Sequence, residues 1–83
     1  MGDVPLFDLV AGGPIYVYMQ VADHVAARIE GGDLRSGSRL PSEYRLAREY
    51  GVSCGSVRQA VRLLRDRGLV FTVRPKGTFV ETF

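Results

Sequence analysis

The sequence predicts an α+β domain, mainly α, in which three helices are followed by a two-stranded β-hairpin. Residues 42–64 contain two helical patterns joined by a short glycine turn, and the second pattern has an apolar stripe at three-and-four spacing. Residues 69–81 contain two runs rich in β-branched and aromatic residues around a Pro-Lys-Gly turn. A longer helical pattern precedes both. Because the chain has 83 residues, we expect one domain with a modest core.

The N-terminal part divides into an apolar extension, residues 1–13, and the start of the domain, which we expect to span residues 14–83. The apolar side chains of the extension are Val4, Leu6, Phe7, Leu9 and Val10. Such a segment is too hydrophobic for a free tail. It therefore packs either on the domain's own core or against a second chain, and we favour the domain's own core.

The first helix is predicted to begin at Pro14 and to stop at the pair Gly31-Gly32. Its buried stripe is expected to consist of Tyr18, Val21, Ala22, Val25 and Ile29. His24 lies off this stripe, so we expect a solvated surface histidine rather than a ligand or a pH sensor. The helix is expected to serve the core and little else.

The second helix follows a connection, residues 32–41, in which Leu34 and Leu40 are expected to point inward. Ser42 is placed to cap the helix, and Glu43 lies favourably near its positive end. The apolar side of this short helix holds Leu46, Ala47 and Tyr50.

The third helix, at about residues 53–67, follows a sharp turn at Gly51 and is capped by Ser53. Its apolar stripe consists of Val57, Ala60, Val61 and Leu64, and the opposite face consists of Gly55, Arg58, Gln59 and Arg62. Arginine can donate two hydrogen bonds to guanine and glutamine can pair with adenine, while glycine and serine at the helix start let the backbone approach closely. This composition predicts a helix that fits the major groove of DNA.

The hairpin follows a helix stop at Gly68, a residue suited to the left-handed conformation past a helix end. Its predicted strands are residues 69–74 and 78–81, with Pro75-Lys76-Gly77 as the turn between them. The hairpin is therefore a wing with a basic tip.

The charge of the chain is unevenly distributed. Residues 1–33 hold five acidic residues against one arginine, a balance of −4, and residues 34–52 sum to +2. Residues 53–83 hold six basic residues against two acidic ones, a balance of +4. Because the positive charge is concentrated at the third helix and the hairpin, we expect that end of the domain to bind a polyanion.

The composition speaks against several other classes of protein. A single cysteine, Cys54, allows no internal disulfide, and a single histidine allows no Cys/His zinc cluster. We therefore expect the protein to bind no metal and no cofactor, and to be located in a reducing cytoplasm. No apolar run approaches the length of a membrane span, and no export signal is found. Paired carboxylates in a plausible cleft, a nucleophile with a base and a phosphate-cradling loop are also missing, so we do not expect an enzyme.

Six motifs occur in order along residues 14–80: YMQVAD at 18–23, GDLRSGSRLPSE at 32–43, GVS at 51–53, SVRQAV at 56–61, GLV at 68–70 and KGTFV at 76–80. Together they resemble the winged helix-turn-helix domain of the GntR family of bacterial transcription regulators. The resembling region, residues 14–80, makes up about four fifths of the chain.

The resemblance implies a sequence-specific transcription regulator of double-stranded DNA, expected to be a repressor in the bacterial cytoplasm at the nucleoid. It implies a homodimer on an inverted-repeat operator, with the third helix in the major groove and the wing tip, residues 74–78, at the adjacent minor groove or backbone. Similar family members continue into an effector-binding domain, and we expect no small-molecule effector site within these 83 residues. The residues expected at DNA are Ser42, Tyr44, Arg45, Ser53, Cys54, Gly55, Ser56, Arg58, Gln59, Arg62, Arg74, Lys76, Gly77 and Thr78.

Three positions depart from the family pattern. Tyr44 and Cys54 stand where the family commonly has groove-facing arginines, and Pro75 replaces a glycine before the basic residue of the wing. Loss of both arginines should change which bases are read, and Pro75 has no N–H to donate to a sugar or phosphate. Arg45 is expected to substitute for one arginine by reaching the DNA backbone.

Some interpretations of these residues stay open. Arg58 is expected to contact either a base or a phosphate, and Arg62 either contacts a phosphate or is solvated. Cys54 is either a redox-sensitive thiol or a small replacement for arginine, and we favour the replacement. The departures also leave a protein-interaction module with the same fold as an alternative function. Duplex binding that weakens steeply with salt would separate a groove binder from such a module.

Overall fold

The computed structural model describes residues 17–82, which form three helices and an antiparallel hairpin. The elements are α1 (Val17–Glu30), α2 (Glu43–Tyr50), α3 (Cys54–Asp66), β1 (Val70–Val73) and β2 (Gly77–Val80). The predicted fold class is confirmed, with strand ends shifted by about one residue. The apolar extension 1–13, the boundary at residue 14 and the predicted helix start at Pro14 lie outside the described residues. No described helix is both long enough and apolar enough to cross a membrane.

The core is built around α3, which packs on α1 and, less extensively, on α2. The predicted stripe of α3 is buried along its whole length, and so is the predicted side of α2. Of the stripe predicted for α1, Tyr18 is only half-buried, and Ala26 is buried in addition. Burying a valine or leucine side chain contributes about 1.5–3 kcal/mol. Because most buried side chains belong to these three stripes, the stripes supply most of the hydrophobic free energy that stabilises the fold. The buried side chains of the helices are Val21, Ala22, Val25, Ala26, Ile29, Leu46, Ala47, Tyr50, Val57, Ala60, Val61 and Leu64.

The turn between α2 and α3 depends on a glycine. Gly51 has φ = +68°, and its N–H donates to the carbonyl of Ala47 at the end of α2. Because the left-handed conformation is strained for residues with a Cβ, glycine is the residue that closes α2 without strain. Val52 then packs on the core at the corner.

The wing is larger than the sequence indicated, because residues 37–40 pair with the outer edge of β2. Thr78 accepts a hydrogen bond from the N–H of Leu40 at 2.7 Å, and Val80 exchanges hydrogen bonds of 2.8 Å with Gly37 and Ser38. Arg39 lies opposite Phe79 in this bridge. The connection before α2 therefore forms an isolated β-bridge with β2, and this bridge ties the hairpin to the start of α2.

The prediction for His24 is wrong, because this side chain is half-buried between α1 and α2. Its Nδ1 lies 2.8 Å from the hydroxyl of Tyr50. Arg28 donates to the same hydroxyl at 3.2 Å, to Glu49 at 2.7 Å and to Asp33 at 2.8 Å. The spacing of apolar residues within α1 carried no information about Glu49 and Tyr50, whose side chains reach this side of α1 from the end of α2. The resulting cluster joins the last turns of both helices.

The tyrosine of this cluster gives the fold a dependence on alkaline pH. Burial raises the pKa of Tyr50 above its usual value, and the hydrogen bond from Arg28 offsets only part of this rise. The folded protein therefore holds the hydroxyl proton more tightly than the unfolded chain does. This contribution to the free energy of unfolding is complete below about pH 10 and is lost as the pH rises through the folded-state pKa.

We expect the free energy of unfolding, measured by urea denaturation, to fall more steeply above about pH 10 in the wild type than in Tyr50→Phe. The matched control is Tyr44→Phe, which removes the hydroxyl of an exposed tyrosine and should leave the wild-type profile. Parallel profiles for the wild type and Tyr50→Phe would contradict the role given to this hydroxyl.

Candidate nucleic-acid interface

The first turn of α3 is capped by the side chain of Ser53. Ser53 has extended backbone dihedrals, and its Oγ accepts a hydrogen bond from the N–H of Ser56 at 3.1 Å. The Ser53 hydroxyl also donates to the hydroxyl of Ser56 at 3.1 Å. With the cap in place, Gly55 is exposed at the tip of the helix. The thiol of Cys54 is half-buried and packs against the core.

The outer face of α3 carries the side chains that the sequence assigned to it. Arg58, Gln59 and Arg62 are exposed on the side opposite the buried stripe. Gln59 and Arg62 line a shallow depression with Tyr18 of α1. Arg58 lies on the other side, where its Nε is 3.4 Å from Glu43 Oε1 at the start of α2. The face therefore has one half beside α1 and another half beside α2.

The ion pair of Arg58 is exposed and weak. The side chain of Arg58 is 61% exposed and that of Glu43 is 44% exposed. An exposed pair contributes about 0–1 kcal/mol. Little free energy is therefore needed to break this pair when another anion binds the Arg58 guanidinium. The sequence had assigned Glu43 only to the helix dipole. Its position opposite Arg58 was not predictable from spacing, because the two residues lie on different helices.

The start of α2 presents a polar and aromatic surface. Ser42 caps the helix by accepting the N–H of Arg45 at 3.2 Å. The ring of Tyr44 is 63% exposed, and the Arg48 guanidinium lies 5.8 Å from its centre, within the range of a cation–π contact. Arg45 is exposed beside them. Tyr44 is thus not part of the core.

The wing contributes a basic tip and one wall of a cleft. Arg74 and Lys76 are exposed at the tip, whereas Gly77 and Thr78 are half-buried at the start of β2. The hydroxyls of Thr78 and Thr72 lie 3.0 Å apart across the hairpin. Facing this wall is the start of α2, and the cleft between them is lined by Arg39, Leu40, Pro41, Ser42, Glu43, Val61, Gly77 and Thr78.

Apart from the pair of Arg58 with Glu43, the ion pairs within residues 17–82 involve none of the residues predicted at DNA. Arg28 pairs with Asp33 and Glu49, and Arg67 pairs with Asp23 at 3.0 Å. Within the same residues no ion pair involves the other basic side chains of the predicted site, which are Arg45, Arg62, Arg74 and Lys76. Arg39, which is not among the residues expected at DNA, is likewise without an ion pair in this part of the chain. The arrangement leaves a cationic surface that spans α2, α3 and the wing.

Comparison with known proteins gives a family match over this whole region. Residues 17–80 match the model of the bacterial regulatory proteins of the gntR family. The HTH-type transcriptional repressor NagR of Bacillus subtilis strain 168 is 37% identical over 68 residues, which are 82% of this chain and 28% of NagR. The mannosyl-D-glycerate transport/metabolism system repressor MngR of Escherichia coli K12 is 38% identical over 65 residues, which are 78% of this chain and 27% of MngR.

Among solved structures, the DNA-binding domain of AraR in complex with operator ORX1 is similar, with a TM-score of 0.76 and 29% identity over 89% of this chain and 95% of that one. The chain therefore spans less than a third of the two curated relatives but nearly the whole of this domain. The similarity is concentrated in the part that carries the three helices and the wing.

The serine cap of α3 should have a measurable effect on stability. Ser53→Ala leaves the N–H of Ser56 without its side-chain acceptor, so we expect the free energy of unfolding to fall by about 1 kcal/mol in urea denaturation. Ser53→Thr should keep most of the stability. Ser36→Ala, which changes an exposed serine that caps no helix, should have little effect, and an equal loss in both alanine variants would contradict the role of the cap.

Proposed function

The chain belongs to the GntR family of bacterial regulatory proteins, and from this premise we propose that it is the sequence-specific, double-stranded DNA-binding domain of a transcription regulator that acts as a repressor. The observation that carries the proposal is the two-sided nature of α3. One side is buried in the core, and the other presents Arg58 and Gln59 to solvent next to a basic wing. Two relatives are named repressors, and a similar domain is bound to operator DNA.

The proposed binding mode places α3 in the major groove and the wing tip, residues 74–78, at the adjacent minor groove or backbone. The exposed side chains of α3 are of the types that read base edges. The caps of α2 and α3 and the unpaired cations around them are suited to phosphates. Glu43 holds Arg58 in the free protein, and in the complex a base or a phosphate takes its place.

The proposed assembly is a homodimer on an inverted-repeat operator. One domain of this size makes few contacts, so useful affinity requires two coupled domains. The proposal assigns residues 14–83 to the DNA-binding domain and residues 1–13 to an apolar extension. It places the protein in the bacterial cytoplasm at the nucleoid, and it gives these 83 residues no catalytic role, no cofactor and no effector site.

Selection of bound duplexes from a random pool tests the proposal directly. We expect enrichment of a short inverted repeat, followed by binding that weakens steeply with salt, with a log–log slope of about −0.9 for each phosphate neutralised. Absence of duplex binding at low salt, with the protein folded, would exclude the proposed function and would favour a protein-interaction module.

Two substitutions should separate base reading from backbone binding. Arg58→Ala is expected to weaken binding to the selected duplex by about 1–3 kcal/mol with little effect on unrelated duplexes, and Lys76→Ala is expected to weaken binding to all duplexes alike and to lower the salt slope by about 1. Arg65→Ala, an exposed position in the last turn of α3, is the matched control. An Arg58→Ala protein that binds the selected duplex like the control would remove Arg58 from the reading set.

A further inference from the structure

We propose that Arg39 is a further phosphate-binding residue, carried on the flank of the wing and seated there by Gly77. The inference rests on the proposed function and extends it: the wing would hold the DNA backbone by its side as well as by its tip. Arg39 lies within the motif at residues 32–43, but it is not among the residues expected at DNA.

The backbone around Arg39 fixes the direction of its side chain. The N–H of Leu40 donates to the carbonyl of Thr78 at 2.7 Å, and Arg39 itself stands opposite Phe79 at the edge of β2. Because successive residues of a strand point to opposite faces, the burial of Leu40, which is 3% exposed, turns Arg39 outward. The residue is exposed, and the backbone hydrogen bonds of its neighbours fix where its side chain leaves the main chain.

The guanidinium of Arg39 occupies the space that a side chain at position 77 would need. A Cβ built on Gly77 would lie 2.8 Å from Arg39 Nε, 3.3 Å from Nη2 and 3.4 Å from Cζ. The first distance is too short for any real contact, so the planar group lies directly over the bare backbone of Gly77. The absence of a side chain at Gly77 thus creates a seat for the guanidinium at the start of β2, next to the tip residue Lys76.

The seated guanidinium has no anion of its own. Within residues 17–82 it makes no hydrogen bond and no ion pair. The carboxylate across the cleft, that of Glu43, pairs with Arg58 instead. An arginine fork that is pre-positioned and unpaired matches the geometry of a phosphate. Because the group lies along the flank of the wing, behind the tip, we assign it to the backbone and not to a base edge.

The test compares Arg39→Gln with Arg35→Gln on the 83-residue chain, using the duplex selected above and an unrelated duplex. Arg35 is an exposed arginine of the same connection that lines no wall of the cleft. We expect Arg39→Gln to weaken binding to both duplexes by about tenfold and to lower the salt slope by about 1. Arg35→Gln should bind like the wild type, and the melting temperatures of the three proteins should agree.

The outcomes separate the two proposals. If the wild type binds no duplex, the proposed function fails, and this inference fails with it. If the wild type binds and the two glutamine variants are equal, only the role of Arg39 is overturned. A loss confined to the selected duplex would indicate a base contact and would overturn the assignment to phosphate.

Gly77→Ala tests the seat itself. The added methyl group forces the guanidinium to shift, so Gly77→Ala should lose part of the affinity that Arg39→Gln loses, with folding checked by thermal unfolding because φ at this position is +127°. The double variant should bind no worse than Arg39→Gln, since both substitutions act on the same contact. Additive losses would show that Gly77 acts separately from Arg39.

Discussion

The burial of one side of α3 is the constraint on which the rest of this domain depends. An α-helix repeats every 3.6 residues, so fixing Val57, Val61 and Leu64 in the core fixes the direction of every other side chain on the helix. Arg58 and Gln59 cannot be turned inward without exposing this stripe. The energy that folds the domain therefore also orients its binding face, and a core substitution that rotates α3 would act on both together.

The polar contacts decide which charges remain available at that face. The N-terminal part of the chain is acidic, but within the described residues Asp33 is held by Arg28 and Asp23 by Arg67. These pairs keep acidic groups occupied while most of the cations at α2, α3 and the wing stay unpaired. Glu43 is the exception, and its contact with Arg58 at 3.4 Å links the start of α2 to the outer side of α3.

Features set by a few neighbouring residues could be predicted from the sequence. The caps at Ser42 and Ser53, the left-handed turn at Gly51 and the three buried stripes all depend on short-range patterns, and each is present in the structure. The features that were missed join residues far apart in the chain. His24 meets Tyr50 across 26 positions, and Arg39 meets Gly77 across the pairing of the connection with β2. No local periodicity encodes such contacts, because they depend on how the elements are packed.

The family follows from the comparisons, whereas the roles of individual side chains at DNA remain predictions.

The pairing of residues 37–40 with β2 has a mechanical consequence. Residues 37–40 continue directly into the start of α2 and are hydrogen-bonded to β2, so the hairpin cannot swing freely relative to the helices. In the proposed complex the separation between α3 and the wing is then nearly a fixed length, and the duplex has to supply a matching separation between its two contact points. Sequences that reach this spacing with little bending or change of groove width would be bound with less deformation energy. The domain would in this way discriminate between sites at base pairs that it never touches.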